Sequence, residues 1–384
     1  MDKKYKRPAW LEINLNNFIN NMETIKKSLT PGTEILSVVK ADGYEVGAVA
    51  LVRESVKLGI RNFAVATESE AIILKNEFKD INVLKLGYTP EYQFEESIKR
   101  DISSTIYTLE QAKKFDELAK NLNKKAKLHI CIDSGMSRIG FLPNEDSIEK
   151  IIEIFKLENL DVVGIFSHFA ASDSDLDFTK KQFDTFTDFI KKLELRGVHF
   201  KYRHIANSAS ILTHREYDLD MVRPGIIQYG YTDTRDSAAM HNLKPIISLK
   251  AEISNVKIID EGISVGYSRT YFTNKKTKVV TLPIGYADGI PRILSGKINV
   301  LINGVKCPQI GLICMDQLMV DATGIDCKIG DEVVLIGEQG DEKIEIRDFC
   351  ELSGDCETSF LTHFDKRLPR LYFKDGEVVE IMEI

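Results

Sequence analysis

With 384 residues, 43% of them hydrophobic and 28% charged, the chain has room for a large barrel plus one further domain and the make-up of a soluble globular protein. Its formal net charge of −7 offers no electrostatic reason for nucleic acid or an anionic membrane as a partner. No apolar run approaches the roughly 20 residues that a membrane-spanning helix needs. The start, Met1-Asp2-Lys3-Lys4-Tyr5-Lys6-Arg7, is charged with no apolar stretch behind it, so no secretory signal is read and a cytoplasmic protein is expected. The six cysteines, at 131, 307, 314, 327, 350 and 356, form no Cys-x-x-Cys pair, so neither structural zinc nor a disulfide framework is expected.

Ala9-Trp10-Leu11-Glu12-Ile13-Asn14-Leu15 reads as an opening strand. Eight apolar, β-branched runs come after it: Ile35–Lys40, Asn62–Thr67, Asn82–Gly87, Ser104–Tyr107, Lys127–Ile132, Val162–Phe169, Phe200–Ala206 and Met221–Tyr229. Helical spacing fills the gaps, as in Thr108–Leu122 and Asp177–Leu195, the latter with Asp177 as N-cap and Gly197 as C-terminal stop. Strand and helix alternating in this way predict a (β/α)8 barrel of the TIM type. No G-x-G-x-x-G succeeds the first run, which argues against an open dinucleotide-binding sheet.

After about Asn242 the texture changes to short alternating runs, Lys278–Ile284, Lys297–Ile302, Glu332–Ile336 and Glu377–Ile381, set apart by Asn-Gly and Asp-Gly turn signals. Only Glu345–Leu352 looks helical there. The expected fold class is α/β: a barrel over 12–242, then a mostly-β C-terminal domain over 243–384 that also takes the N-terminal strand at 1–11.

The unusual polar residues fall at the carboxyl ends of the barrel strands, where this fold does its chemistry. Lys40 and Tyr44 follow the first run, Asp133-Ser134-Gly135-Met136-Ser137-Arg138 the fifth, and His168 lies near the end of the sixth. Asn207-Ser208 follow the seventh, and Arg223-Pro224-Gly225-Ile226 lies within the eighth. A lysine leaving an apolar strand loses solvation, so its amine can be neutral and nucleophilic near pH 7, as a Schiff-base lysine requires. The plainer alternative is a surface lysine opening a helix. Ser208 and the backbone N–H groups near Gly225 and Ile226 form a candidate phosphate cradle. Taken singly, His168 also reads as a satisfied core histidine, Arg138 as a surface ion pair and Ser208 as a helix cap. Arg223 is harder to dismiss, because burying a guanidinium requires a partner.

At these residues the chain resembles the alanine racemase family of fold-type III pyridoxal-phosphate (PLP) enzymes. The likeness runs from Arg7-Pro8-Ala9-Trp10 to Arg367-Leu368-Pro369-Arg370. It is carried by Val38-Val39-Lys40-Ala41-Asp42-Gly43-Tyr44, Asp133 to Gly140, Phe166-Ser167-His168-Phe169-Ala170 and His204-Ile205-Ala206-Asn207-Ser208-Ala209. Further on come Met221-Val222-Arg223-Pro224-Gly225, Val265-Gly266-Tyr267-Ser268-Arg269-Thr270-Tyr271, Gly285-Tyr286-Ala287-Asp288-Gly289 and Cys314-Met315-Asp316-Gln317.

The resemblance implies that Lys40 carries PLP covalently, that Tyr44, Ser208, Gly225 and Ile226 hold the cofactor's phosphate, and that His168, Asn207 and Arg223 are also cofactor-binding. It implies that Arg138 faces the ring hydroxyl and the substrate carboxylate, with Tyr286, Met315 and Asp316 near the incoming amino acid. Tyr267 would come from the partner subunit, which makes a homodimer the catalytic unit. Inverting a Cα needs a proton removed from one face and another delivered to the opposite face, here by Lys40 and Tyr267. An unaided phenol, with a reference pKa of about 10, is a poor base; a His168–Tyr267 hydrogen bond with Arg223 nearby would favour phenolate. The resemblance also sets Arg223 beside the pyridine nitrogen. A guanidinium does not give up its proton, so the ring stays unprotonated and the carbanion short-lived, which favours a racemase over a fold-type III decarboxylase.

Three departures from the family stand out. Cys131 occupies the place of a lysine that is often carbamylated, so Arg138 must be oriented differently. Tyr44-Glu45-Val46-Gly47 replaces the usual Tyr-Gly-His-Gly. Thr358 falls where the family has a tyrosine narrowing the pocket, with Asp355 and Glu357 close by, so the alternative to alanine is serine or a broader set that includes larger or basic amino acids. The leading expectation is an alanine racemase supplying D-alanine for cell-wall synthesis; a non-catalytic PLP carrier on the same barrel is the reading from another class.

Overall fold

The computed structural model describes residues 7–232, 237 and 240–383. The charged start at 1–6 therefore lies outside the described residues, as do 233–236, 238–239 and 384, which fall within the two expected domains.

Strands rich in Val, Ile and Leu on both faces must be covered on both sides, and a closed parallel sheet inside a ring of helices does this. Strand β1 (Ala9–Asn14) precedes the barrel. The barrel itself is β2 (Glu34–Val38), β3 (Asn62–Val65), β4 (Asn82–Lys85), β5 (Ser103–Ile106), β6 (Ala126–Cys131), β7 (Leu160–Phe166), β8 (Tyr202–His204) and β9 (Met221–Val222), closed by pairing of β9 with β2. Leu36, Val38, Ala64, Leu84 and Met221 pack together inside it. Thr67, Thr108, Asn144, Asp175 and Asn207 cap the helices that come after strands or strand-end loops, each accepting a backbone N–H.

Local differences from the sequence reading have local causes. The eighth strand is only Met221–Val222, because Pro224 has no N–H for a ladder, and a 3-10 turn, Ile226–Tyr229, succeeds it. The helix expected at Asp177 begins at Leu176 under an Asp175 cap, which leaves Asp177 in the first turn. Beside the expected helix, found as Ile346–Ser353, a second short one runs Glu357–Leu361.

The chain divides into two compact units, one of Ile19–Gly43 with Ala48–Lys244, the other of the residues to Phe18, Tyr44–Gly47 and Pro245–Ile384. In the second unit β1 lies between Ile247–Glu252, antiparallel, and Arg370–Lys374, parallel, in an eleven-stranded sheet. All of β1 therefore belongs with the β-rich unit. No helix among the described residues is long and apolar enough to cross a membrane.

Candidate active site

Lys40 stands two residues beyond β2, partly buried, at the end of the barrel that also receives the chain after β6, β7, β8 and β9. The backbone turns left-handed immediately beyond it. Ala41, Asp42, Gly43, Tyr44 and Glu45 have φ of 52°, 48°, 65°, 57° and 61°. Such backbone costs roughly 1–2 kcal/mol for each non-glycine residue, so it persists only where other contacts hold it. Gly43 N–H donates to the Val39 carbonyl at 2.9 Å, Ala48 N–H to Asp42 Oδ1 at 2.9 Å, and Ala41 N–H to Glu70 Oε1 at 2.5 Å. In the other unit, Tyr372 Oη donates to the Val46 carbonyl at 2.8 Å and Arg370 Nε to the Glu45 carbonyl at 3.1 Å. Gly47, at φ +104°, is required there: an added Cβ would sit 1.9 Å from Tyr372 Oη.

Burial lowers the Lys40 amine from its ordinary value; Arg138 lowers it further, and Glu70 opposes both. Tyr44 is 6% exposed, and burial pushes its phenol up to about 12, so it remains a hydrogen-bond donor at neutral pH.

Arg223 lies directly beyond β9 and is 4% exposed. Its Nη1 donates to His204 Nδ1 at 2.8 Å, and its Nη2 to His168 Nδ1 at 2.9 Å and to the carbonyls of Ser167 and Ile205 at 2.7 and 3.1 Å. A guanidinium has no acceptor, so both Nδ1 atoms must accept and each neutral ring carries its proton on Nε2. His204 Nε2 lies 3.0 Å from His129 Nδ1 and donates to it. Burial first, and the Arg223 charge second, pushes His168 and His129 down to about 3 and His204 well below its ordinary value. Burial also brings Arg223 down to about 10, which still leaves it charged near neutrality.

Arg138 is exposed on the loop after β6. Cys131, which ends β6, is buried. Burial raises its thiol to about 12, and its Sγ contacts the Ile139 carbonyl at 3.5 Å. The loop is braced through Asp133 Oδ1, which accepts from Gly135 N–H at 3.0 Å and Ser137 N–H at 2.9 Å. Asn207 caps the short helix Ser208–Ile211, so Ser208 is its first residue and not its cap. Ser208 Oγ accepts from Gly225 N–H at 2.8 Å, joining the two halves of the expected cradle, with Ile226 next in the chain. Lys40, Arg138, His168, Asn207, Ser208, Arg223, Gly225 and Ile226 thus all lie just past strand ends at one end of the barrel.

Tyr267, Met315 and Asp316 line an open cavity of about 890 Å³ in the other unit. Tyr267 is 67% exposed on a strained turn, with Gly266, Ser268 and Arg269 at φ of 76°, 57° and 49°. Tyr286 N–H donates to the Cys314 carbonyl at 3.0 Å, tying its turn to the Met315 segment. Arg367 pairs with both Asp316, at 2.5 Å, and the buried Asp288, at 2.7 Å. Thr358 is exposed on Glu357–Leu361 and is not among the residues lining that cavity.

The sequence reading missed His129, His204 and Glu70. His129 lies within β6 and His204 ends β8, where the sequence marks both only as strand residues; Thr67-x-x-Glu70 is a capping-box signal that announces a helix start and nothing about Lys40.

The chain matches the profile of the alanine racemase N-terminal domain over residues 13–233 and that of the alanine racemase C-terminal domain over 246–372. It is 44% identical over 378 residues to an alanine racemase of Clostridium perfringens, covering 98% of each chain. Among solved structures, the alanine racemase of Clostridium difficile 630 superposes with a TM-score of 0.94 at 40% identity, covering 99% of each chain. The alanine racemase of Bartonella henselae, solved with covalently bound pyridoxal phosphate, gives 0.84 at 30% identity, covering 96% of this chain and all of that one. The chain belongs to the alanine racemase family, and is a PLP-dependent amino-acid racemase.

Proposed function

We propose that the chain interconverts L- and D-alanine by a two-base mechanism, with PLP at the barrel mouth and with active sites shared across a homodimer. The observation that carries this reading is Arg223, a buried guanidinium whose hydrogen-bond partners are two neutral imidazoles and two carbonyls. With Lys40 and Arg138 it makes the mouth a cationic site without a matching carboxylate on Arg223, which suits a phosphate-bearing ring with an unprotonated nitrogen.

Lys40 would hold the cofactor covalently, Tyr44, Asn207, Ser208, Gly225 and Ile226 its phosphate end, and Arg223 its ring nitrogen. Arg138, Tyr286, Met315 and Asp316 would face the ring hydroxyl and the incoming amino acid. When bound, PLP supplies an electron sink that acidifies the substrate Cα–H. The Lys40 amine, lowered by burial, moves the proton on one face, and Tyr267 of the partner subunit moves it on the other. His168, whose Nε2 carries the proton because Arg223 occupies Nδ1, donates to that phenolic oxygen and favours its charged form.

The reading with serine or larger amino acids draws on Thr358, which has no ring to close the pocket. Its acidic neighbours add little: Glu357 is paired with Arg347, and Asp355 faces His363 at 4.0 Å. Alanine is the substrate we assign.

Chiral analysis of L-alanine, L-serine, L-lysine and L-ornithine incubated with the PLP-loaded protein tests this reading. D-alanine should form fastest. Lys40→Ala should abolish both turnover and borohydride trapping of PLP on the chain. Tyr267→Phe should keep the trapped adduct but lose proton transfer on one face, and normal racemisation by that variant would remove the two-base assignment.

A further inference from the structure

Glu70 lies outside every role assigned so far, yet its carboxylate joins two segments. One oxygen, Oε2, accepts from Ala66 N–H at 2.8 Å and Thr67 N–H at 2.9 Å, completing the capping box of the helix Glu68–Glu77. The other, Oε1, accepts at 2.5 Å from the N–H of Ala41, the residue directly after Lys40 and the first of the left-handed turn. A helix cap needs only the first oxygen. The second is committed to a strained segment that has no part in that helix.

We propose that Glu70 is a positioning residue for Lys40: by holding the Ala41 N–H it clamps the left-handed turn on which the lysine is mounted, and it brings a carboxylate to the residue next to the lysine. The groups acting on that amine fit this division. Arg138, from the loop after β6, and burial both disfavour its charged form, and Glu70, from the first turn of the helix after β3, favours it. His168, after β7, feels the Lys40 charge in turn. Glu70 therefore sets how far the lysine is driven towards neutrality, through charge, and where its side chain begins, through a backbone hydrogen bond.

The inference rests on Lys40 being the reactive lysine, but its test needs no turnover. Full-length protein stripped of PLP is labelled at Lys40 with an amine reagent across a pH series, and amide exchange of peptides spanning 38–46 is tracked by mass spectrometry. Glu70→Gln removes the charge and keeps the length, so Lys40 should titrate at lower pH than in the parent. Glu70→Asp keeps the charge but is one methylene shorter, so the titration should stay near that of the parent while exchange at Ala41 rises roughly tenfold. Thr67→Ala weakens the same cap without touching the clamp and should change neither readout.

An unchanged titration in Glu70→Gln, unchanged exchange in Glu70→Asp, or the same changes in Thr67→Ala would each overturn the proposal. If Glu70→Gln does not fold, the exchange comparison of Glu70→Asp with Thr67→Ala still decides. Loss of borohydride trapping in the unsubstituted protein would instead count against the PLP reading, and would leave these two measurements standing.

Discussion

Arg223 Nη2 lies 2.9 Å from His168 Nδ1, and that contact fixes where the histidine keeps its proton. Because arginine can only donate, the Nδ1 lone pair is taken and Nε2 is left as an N–H. The same logic runs through His204 to His129, so one cation orders three rings.

Replacing Arg223 with lysine should break this ordering. An ammonium is a point donor and cannot span His204, His168 and two carbonyls at once. We expect kcat to fall by about 100-fold, the scale of a lost general acid–base contribution. Stability should fall by roughly 1–3 kcal/mol for a buried hydrogen-bond partner left unpaired. Steady-state kinetics with borohydride trapping as a loading control measure the first, and urea unfolding the second. Parental kcat in a fully loaded Arg223→Lys protein would show that the tautomer control does no work in turnover.

The three neutral histidines also make stability depend on pH. In the unfolded chain each takes up a proton near pH 6.5. In the folded chain burial holds His129 and His168 down to about 3 and His204 well below its ordinary value. The unfolded state therefore binds more protons across that window, so this stability is present above pH 6.5 and is lost as pH falls towards 3. Each histidine contributes a slope of about 1.4 kcal/mol per pH unit within the window. Urea midpoints should drop between pH 7 and pH 5, and His129→Asn should make the drop shallower. Equal slopes in the two proteins would mean that His129 does not titrate between the states.

Much of the fold is legible from residue order. Strands buried on both faces draw on short apolar runs, such as Phe63-Ala64-Val65 within Asn62–Val65, and such runs stand out in a sequence. Lys40, Arg138, His168 and Ser208 are legible for the converse reason, being polar at the points where those runs stop. The left-handed turn is not, since Ala41-Asp42-Gly43 reads as any turn and its φ values are set by partners distant in sequence, among them Glu70. The eighth strand reads too long because Ile227 and Tyr229 are apolar for burial in a 3-10 turn as much as in a ladder. Thr358 illustrates the limit of counting along a sequence: the count yields a residue type but not a position relative to the cavity that Tyr267 and Met315 line.

A buried ion pair outside the site gives the last prediction. Lys85 ends β4 at 1% exposure and pairs with Glu68, the first residue of the helix Glu68–Glu77, itself 7% exposed. Lys85 Nζ also donates to Ser97 Oγ at 2.8 Å, and Ser97 Oγ lies 3.1 Å from both oxygens of Glu68. Burial lowers the Lys85 amine while Glu68 raises it, so the partner favours the charged form that burial opposes. Glu68→Leu should therefore cost about 3–5 kcal/mol, and Lys85→Met a similar amount, because each strands a buried group. The double variant should recover most of that loss, since an apolar pair of like volume needs no desolvation of charge. Urea unfolding of the four proteins closes the cycle. Additive losses in the double variant would mean that the triad holds the barrel wall to its helices by more than mutual satisfaction of two charges.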